Sequence, residues 1–212
     1  SKSLLRAAKK NNNSIEVIAS EKINIISEII KTIRVYQWVK NVLIFIPVIL
    51  SFSPINDSIG YLLSGFFAFS FIASAFYIIN DLFDIENDRL HHSKKNRSFA
   101  SGSLTITQGF FIFIFLIISA LLISISLPKA FQILLLFYSL ATFTYSKYLK
   151  KIVILDIFTL SSLYLLRLIT GGALLDITLS NWLLTFSVFF FLFLASIKRW
   201  VELNRNRSKF IS

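Results

Sequence analysis

The chain has 212 residues, 55% of them hydrophobic and 23 of them Phe, with a mean hydropathy of +0.71. That is more apolar surface than a water-soluble fold of this length can cover, and far too hydrophobic for a disordered chain. Lys and Arg number 22 against 11 Asp and Glu, a formal charge of +11. The charges fall in short clusters between long apolar runs, which is the pattern of a polytopic membrane protein and argues against a nucleic-acid partner. There is no Cys, which excludes disulfides, a thiolate zinc site and a thiol nucleophile. The two His residues, His91 and His92, are adjacent and make a multi-His metal centre untenable. With no Met, even at position 1, the chain is expected to start inside a longer gene product.

In chain order, residues 1–33 are polar and mixed, with Asn11-Asn12-Asn13 and an amphipathic stretch over 23–33. They lack the apolar core of a signal peptide and read as a cytoplasmic linker running into an interfacial helix. Residues 34–212 read as a transmembrane domain. Six apolar spans are predicted, at 36–52, 59–79, 110–127, 130–145, 152–175 and 182–197, each near the ~20 residues that cross a bilayer. The connections at 53–58, around Pro128 and at 176–181 are short, and that at 80–109 is long. Because lipid does not tolerate unpaired backbone, the fold class is an all-α membrane-embedded helix bundle. Of the 22 Lys and Arg, 20 fall on one side of these spans, with Lys129 opposite and Arg167 inside the fifth. The positive-inside rule then places the N-terminus in the cytoplasm, with multiple passes through the cell membrane.

The richest chemistry is the segment from Asn80 through Asp81 and Asp84 to Asp88. Continued as a helix, it puts Asp81 and Asp84 at i,i+3 and Asp84 and Asp88 at i,i+4 on one face. Three carboxylates this close repel one another unless a cation lies among them, and hard oxygen ligands suit Mg²⁺ with substrate phosphates. The alternative is a solvated acidic helix end. Arg89, Lys94, Lys95 and Arg97 follow directly, and acid followed by base is what a metal–diphosphate site requires. Asp156 and Arg167, three turns apart in the fifth span, are intramembrane charges, which are either functional or paired with other helices. Lys198, Arg199 and Glu202 close the last span, and Tyr145, Lys147 and Lys150 close the fourth. Lys40 and Asn41 open the first. Each of these also reads as a snorkelling or interfacial belt residue. Their placement on one membrane face is what makes them candidates for a single cavity.

These motifs resemble the UbiA superfamily of intramembrane prenyltransferases, whose NDxxDxxxD motif matches residues Asn80 to Asp88. Arg34, Gln37, Trp38, Lys40 and Asn41 resemble the RxxQWxKN pattern of its decaprenyl-phosphate phosphoribosyltransferase branch. That branch's DRxHPxKxxRPxAxG pattern is matched from Asp88 to Gly102, except that His92 and Ser98 stand where the branch has Pro. Arg167 with Gly171, then Trp182-Leu183-Leu184, and Lys198-Arg199 with Glu202 complete the likeness. The resemblance implies a nine-helix fold of which six helices are present. It also implies that residues 1–33 could be the tail of a haloacid-dehalogenase-like domain. The implied activity is Mg²⁺-dependent transfer of 5-phosphoribose from phosphoribosyl diphosphate (PRPP) to a polyprenyl phosphate. Asp81, Asp84 and Asp88 would hold the metal, and Lys94 and Arg97 the leaving diphosphate. Lys198, Arg199 and Glu202 would face the ribose phosphate or the metal, while Tyr145, Lys147 and Lys150 anchor the lipid phosphate. The rival readings are transfer of a prenyl group from its diphosphate to an aromatic or porphyrin acceptor, a transporter, and an inactive fragment.

Overall fold

The computed structural model describes residues 24–51 and 59–208, with side chains through residue 204. Residues 1–23 of the expected linker at 1–33, and the connection at 53–58, lie outside the described residues. Helix α1 (Ile25–Ile33) starts at Asn24, whose side-chain oxygen accepts from the N–H groups of Ile26 and Ser27 at 3.2 and 3.4 Å. Such a cap satisfies donors that have no partner within the helix. The helix ends at Arg34, in the left-handed region at φ 56°. Ile25, Ile26 and Ile30 point outward, and Thr32 is buried beneath.

A bend of 41° leads into a 3₁₀ segment (Val35–Phe45) followed by helix α2 (Ile46–Ser51). The first predicted span is therefore not one regular α-helix. Asn41, Ile44 and Pro47 are buried at a spacing of three, in line with the inward-bonded Trp38. Tyr36, Val39 and Val42 are exposed at the same spacing. Three residues per turn put each set on one face, whereas an α-helix would spread them around the axis. The indole N–H of Trp38 donates to Ser74 Oγ at 2.9 Å, and Ser74 donates to the Ile33 carbonyl at 2.7 Å.

Helix α3 (Ile59–Phe83) is followed, after an interruption at Asp84, by the short α4 (Ile85–Leu90). Turns over residues 91–104 lead to α5 (Ile106–Ser124). That helix opens four residues before the predicted 110, because Thr105 and Gln108 form a reciprocal capping box. Helix α6 (Lys129–Lys147), a 3₁₀ turn (Leu149–Lys151), α7 (Val153–Leu174) and α8 (Asn181–Ser208) complete the described chain. Helix α8 runs well past the predicted end at 197.

Each of the six predicted spans coincides with helical structure. Among the described residues, α3, α5, α7 and α8 are long and apolar enough to cross a membrane, and α1 with the segment after it makes a bent fifth candidate. Helix α6 has the length, at 19 residues, but Gln132, Ser139, Thr142 and Thr144 make it less apolar. The outward faces of α5 (Phe110, Phe111, Phe115) and α8 (Phe186, Phe189, Phe193) are each more than half exposed, as lipid-facing surfaces are. This is an integral membrane protein.

The core lies between α3, α6, α7 and the 3₁₀ segment, around Ile44, Phe69, Phe131, Leu135 and Leu163. The 3₁₀ segment touches α7 backbone to backbone at Gly171, where a Cβ would collide with the Ile44 carbonyl oxygen. This close approach holds Arg167, one turn earlier on α7, against the 3₁₀ segment.

Candidate active site

The C-terminal halves of α3 and α6, the middle of α7, Lys198 of α8, the 3₁₀ segment and the turns before α5 surround a cavity of about 340 Å³. Among the described residues, one carboxylate lines it, that of Asp84, against seven cationic side chains. Three of the seven, Lys94, Arg97 and Lys150, come from the turns between helices, Lys198 lies within α8, and Arg34, Lys40 and Arg167 lie in or beside the membrane segments. Lys40 and Lys94 have no carboxylate partner among the described residues. Lys40 faces the ring of Tyr164 at 6.0 Å.

The structure does not bring the three aspartates together. Asp81 and Asp88 are seven residues apart, close to two full turns, and so lie on one line of the helix. Asp84 is offset from that line at the interruption between α3 and α4. Arg97 bridges the aligned pair, donating to Asp81 at 3.1 Å and to Asp88 at 2.7 Å. A single nitrogen of Arg34, Nη2, lies between both oxygens of Asp81 at 2.5 and 2.7 Å, with its guanidinium 4.7 Å from the centre of the Tyr77 ring. Asp81 and Asp88 are buried and are not among the residues lining the main cavity. Asp81, Arg34 and Arg97 line a second cavity, of about 230 Å³, beneath α1. The two arginines thus form a wall between the cavities.

Asp84 turns into the main cavity, where Lys150 Nζ lies 3.0 Å from its Oδ2 and 3.2 Å from Asn80 Oδ1. Among the described residues, no three acidic or His side chains converge on one point as metal ligands. In this arrangement Asp81 and Asp88 face arginines, and Asp84 faces Lys150. Asn80 and Asp84 do offer two hard oxygens to one cationic position, now taken by the Lys150 ammonium. This donor set fits Mg²⁺, which usually takes one or two carboxylates and completes its shell with water and substrate phosphate.

Deeper in the bundle, Arg167 is buried. It donates to Asn41 Oδ1 at 2.9 Å, to the Tyr138 hydroxyl at 3.0 Å and to the Leu163 carbonyl. The rings of Phe69, Tyr138 and Tyr164 surround its guanidinium within 5.4 Å. Asn41, 1% exposed, donates in turn to Ser70 at 2.9 Å, so it orients Arg167 and does not line the cavity.

Asp156 lies in the first turn of α7. It accepts from the Tyr145 hydroxyl at 2.6 Å and pairs with Arg199 at 3.4 Å. Asp156 and Arg167 are both buried but belong to separate networks. Arg199 and Glu202 stand outside the main cavity and pair with each other, while Lys198 lines it. Lys147 is exposed on the rim of α6 beside Tyr148 and is not among the lining residues.

Several residues that build the site were not singled out as site residues from the sequence. Ser70 and Ser74, one turn apart inside an apolar run, were the legible sign that α3 receives polar side chains from a neighbour. Tyr77, Tyr138 and Tyr164 carried no comparable sign, because isolated tyrosines in apolar runs read as ordinary core residues.

Fold and site together define a membrane-embedded helical bundle with a polybasic cavity at one end. Residues 42–201 match the model of the UbiA prenyltransferase family, and the chain belongs to that family. It is 36% identical over 194 residues to the uncharacterized protein y4nM of Sinorhizobium fredii, covering 90% of this chain and 37% of that one. It is 35% identical over 185 residues to the decaprenyl-phosphate phosphoribosyltransferase of Mycolicibacterium smegmatis, covering 85% of this chain and 58% of that one. In both cases this chain spans less than two thirds of the relative's length. Among solved structures, a UbiA homologue from Archaeoglobus fulgidus bound to DMAPP and Mg²⁺ superposes with a TM-score of 0.67. That match is at 17% identity and covers 78% of this chain and 60% of that one.

Proposed function

We propose that the main cavity transfers 5-phosphoribose from PRPP to a polyprenyl phosphate and releases diphosphate, with its mouth and the N-terminus on the cytoplasmic side. The observation that carries this reading is the lining of seven cations against one carboxylate. A donor with a diphosphate at one end and a phosphate at the other needs positive charge at both ends of its pocket. Here Arg97 and Lys150 pair with the aspartates at the α3 end, while Lys94, Lys40 from the 3₁₀ segment and Lys198 from α8 also line the cavity. The likeness to the Mycolicibacterium smegmatis phosphoribosyltransferase supports the same donor.

Asn80 and Asp84 are the residues that would hold Mg²⁺, which when bound neutralises the diphosphate as a leaving group. Lys94 and Arg97 bind the same diphosphate oxygens and stabilise the charge they gain as the C1–O bond breaks. The bond that forms joins C1 to an oxygen of the lipid phosphate. That oxygen is already anionic, so no side chain has to remove a proton. Lys147, exposed at the rim of α6, meets the lipid phosphate as it arrives from the bilayer. Catalysis then rests on positioning and fixed charge.

A second reading is transfer of a prenyl group from its diphosphate to a small acceptor. It draws on the rings of Phe76, Tyr77, Tyr138 and Tyr164 in the cavity wall, which would stabilise an allylic cation. The test uses membranes containing the whole gene product, supplied with PRPP, Mg²⁺ and polyprenyl phosphate. Lipid-linked phosphoribose and released diphosphate, both lost in Asp84→Asn, are expected. No product from PRPP, together with prenylation of an aromatic acceptor, would overturn the ribosyl reading in favour of the second.

A further inference from the structure

Arg97 is the hub of the site: it bridges Asp81 and Asp88 and borders both cavities. It sits, however, in a stretch of turns between Leu90 and Ile106 that has no regular structure of its own. Something must fix its backbone, and the next residue shows what does. Ser98 is 4% exposed, and its hydroxyl donates to the Glu28 carboxylate of α1 at 2.7 Å. Its Oγ also lies 2.8 Å from the Thr32 hydroxyl, whose one proton is shared between Ser98 Oγ and the Glu28 carbonyl at 2.7 Å. Lys31 adds a bond to the Asn96 carbonyl at 3.0 Å. Three α1 positions on its polar side, 28, 31 and 32, therefore grip the two residues that flank Arg97.

We infer that Glu28 and Thr32 are positioning residues for Arg97, acting through Ser98 as a hydrogen-bonded latch. The inference rests on the reading of the main cavity as a diphosphate site. Helix α1 lies before the matched family segment, which begins at residue 42, yet it belongs to the working unit through this contact. The latch also accounts for a departure in the sequence. Ser98 stands where the resembled pattern has Pro, a residue that stiffens the backbone covalently by fixing φ. Serine has no such ring and stiffens the same position only if its hydroxyl is bound on both sides, as it is here. A hydroxyl bonded to a largely buried carboxylate is a strong form of such a bond.

The test compares Ser98→Ala, Glu28→Ala, Glu28→Gln, Ser98→Pro and the Glu28→Ala/Ser98→Pro double variant, each in the full chain in lipid nanodiscs. Two readouts are taken: amide hydrogen exchange over residues 91–105, without ligand, and calorimetric affinity for Mg²⁺-diphosphate. Ser98→Ala and Glu28→Ala are expected to speed exchange and weaken diphosphate by about fivefold to tenfold, the scale of one hydrogen bond. Glu28→Gln keeps an acceptor and should retain most of the affinity. Ser98→Pro should restore stiffness by the other route and make Glu28→Ala nearly silent. A purely structural role for α1 would instead show Glu28→Ala costing the same in both backgrounds, and that result overturns the latch. Faster exchange with unchanged diphosphate affinity also overturns it, since the loop would then be held without Arg97 depending on it. If the unaltered protein binds no diphosphate, the reading of the cavity fails. Exchange alone then decides the latch: acceleration in Ser98→Ala supports it, and an unchanged rate refutes it.

Discussion

Lys150 presents the sharpest opportunity to separate roles within the site, because removing it should strengthen one ligand and weaken another. Its ammonium lies 3.0 Å from Asp84 and 3.2 Å from Asn80, on the two oxygens that would receive a divalent cation. A metal ion entering that position must displace it. The ion pair is partly exposed, with 34% and 28% of the two side chains accessible, so its net strength is about 0.2–1 kcal/mol. The second bond, to the Asn80 amide oxygen, adds about 1 kcal/mol after the same discount for solvent. Freed of that competition in Lys150→Met, Asn80 and Asp84 should bind Mn²⁺, a spectroscopic substitute for Mg²⁺, about eight- to thirtyfold more tightly. Diphosphate affinity should move the other way, because the displaced ammonium is one of the charges that meets it. Electron paramagnetic resonance of free Mn²⁺ titrated against the purified protein, with and without diphosphate, measures both. Unchanged or weaker Mn²⁺ binding in Lys150→Met would refute the reasoning, and so would Mn²⁺ binding that survives Asp84→Asn intact.

Other consequences concern the buried polar framework. Arg97→Met leaves Asp88, 2% exposed, without its cation, and should cost about 3–5 kcal/mol in stability measured by thermal melting in detergent. Replacing both partners, Arg97→Met with Asp88→Leu, should recover most of that stability but none of the diphosphate affinity. Arg167→Lys keeps the charge but cannot reproduce the fork onto Asn41, Tyr138 and the Leu163 carbonyl. A loss of about 2–4 kcal/mol is expected, again by thermal melting, since each stranded buried partner carries its own desolvation cost. Gly171→Ala should push the 3₁₀ segment away from α7 and destabilise by about 2 kcal/mol or more, while Gly60→Ala, with open space at its Cβ, should be silent in the same melt.

Much of this molecule is legible from residue order alone. Long apolar runs must become helices in lipid, so helices at the six predicted positions follow from residue order, four or five of them long and apolar enough among the described residues to cross a membrane. Clustered Lys and Arg at alternate span ends foretell one polybasic face. The candidate residues Lys40, Asn80, Asp84, Lys94, Arg97, Tyr145, Lys150, Arg167 and Lys198 do line a common cavity. Even the 3₁₀ segment left a trace, in the period of three through Trp38, Asn41, Ile44 and Pro47, and the capping box at Thr105 marked the true start of α5. Tertiary structure alone decided how these charges pair. Periodicity places Asp81, Asp84 and Asp88 on one face, but whether each meets a metal ion or a basic side chain depends on Arg34, 47 residues earlier than Asp81, and on Lys150, 66 residues beyond Asp84. Likewise Asn41 reads as a membrane-edge residue until Arg167, 126 positions away, folds against it. Helix periodicity is local and is therefore written in short stretches of sequence. The partner of a buried charge is set by which distant helices pack together, and at that point the cost of leaving any such group unpaired selects the arrangement.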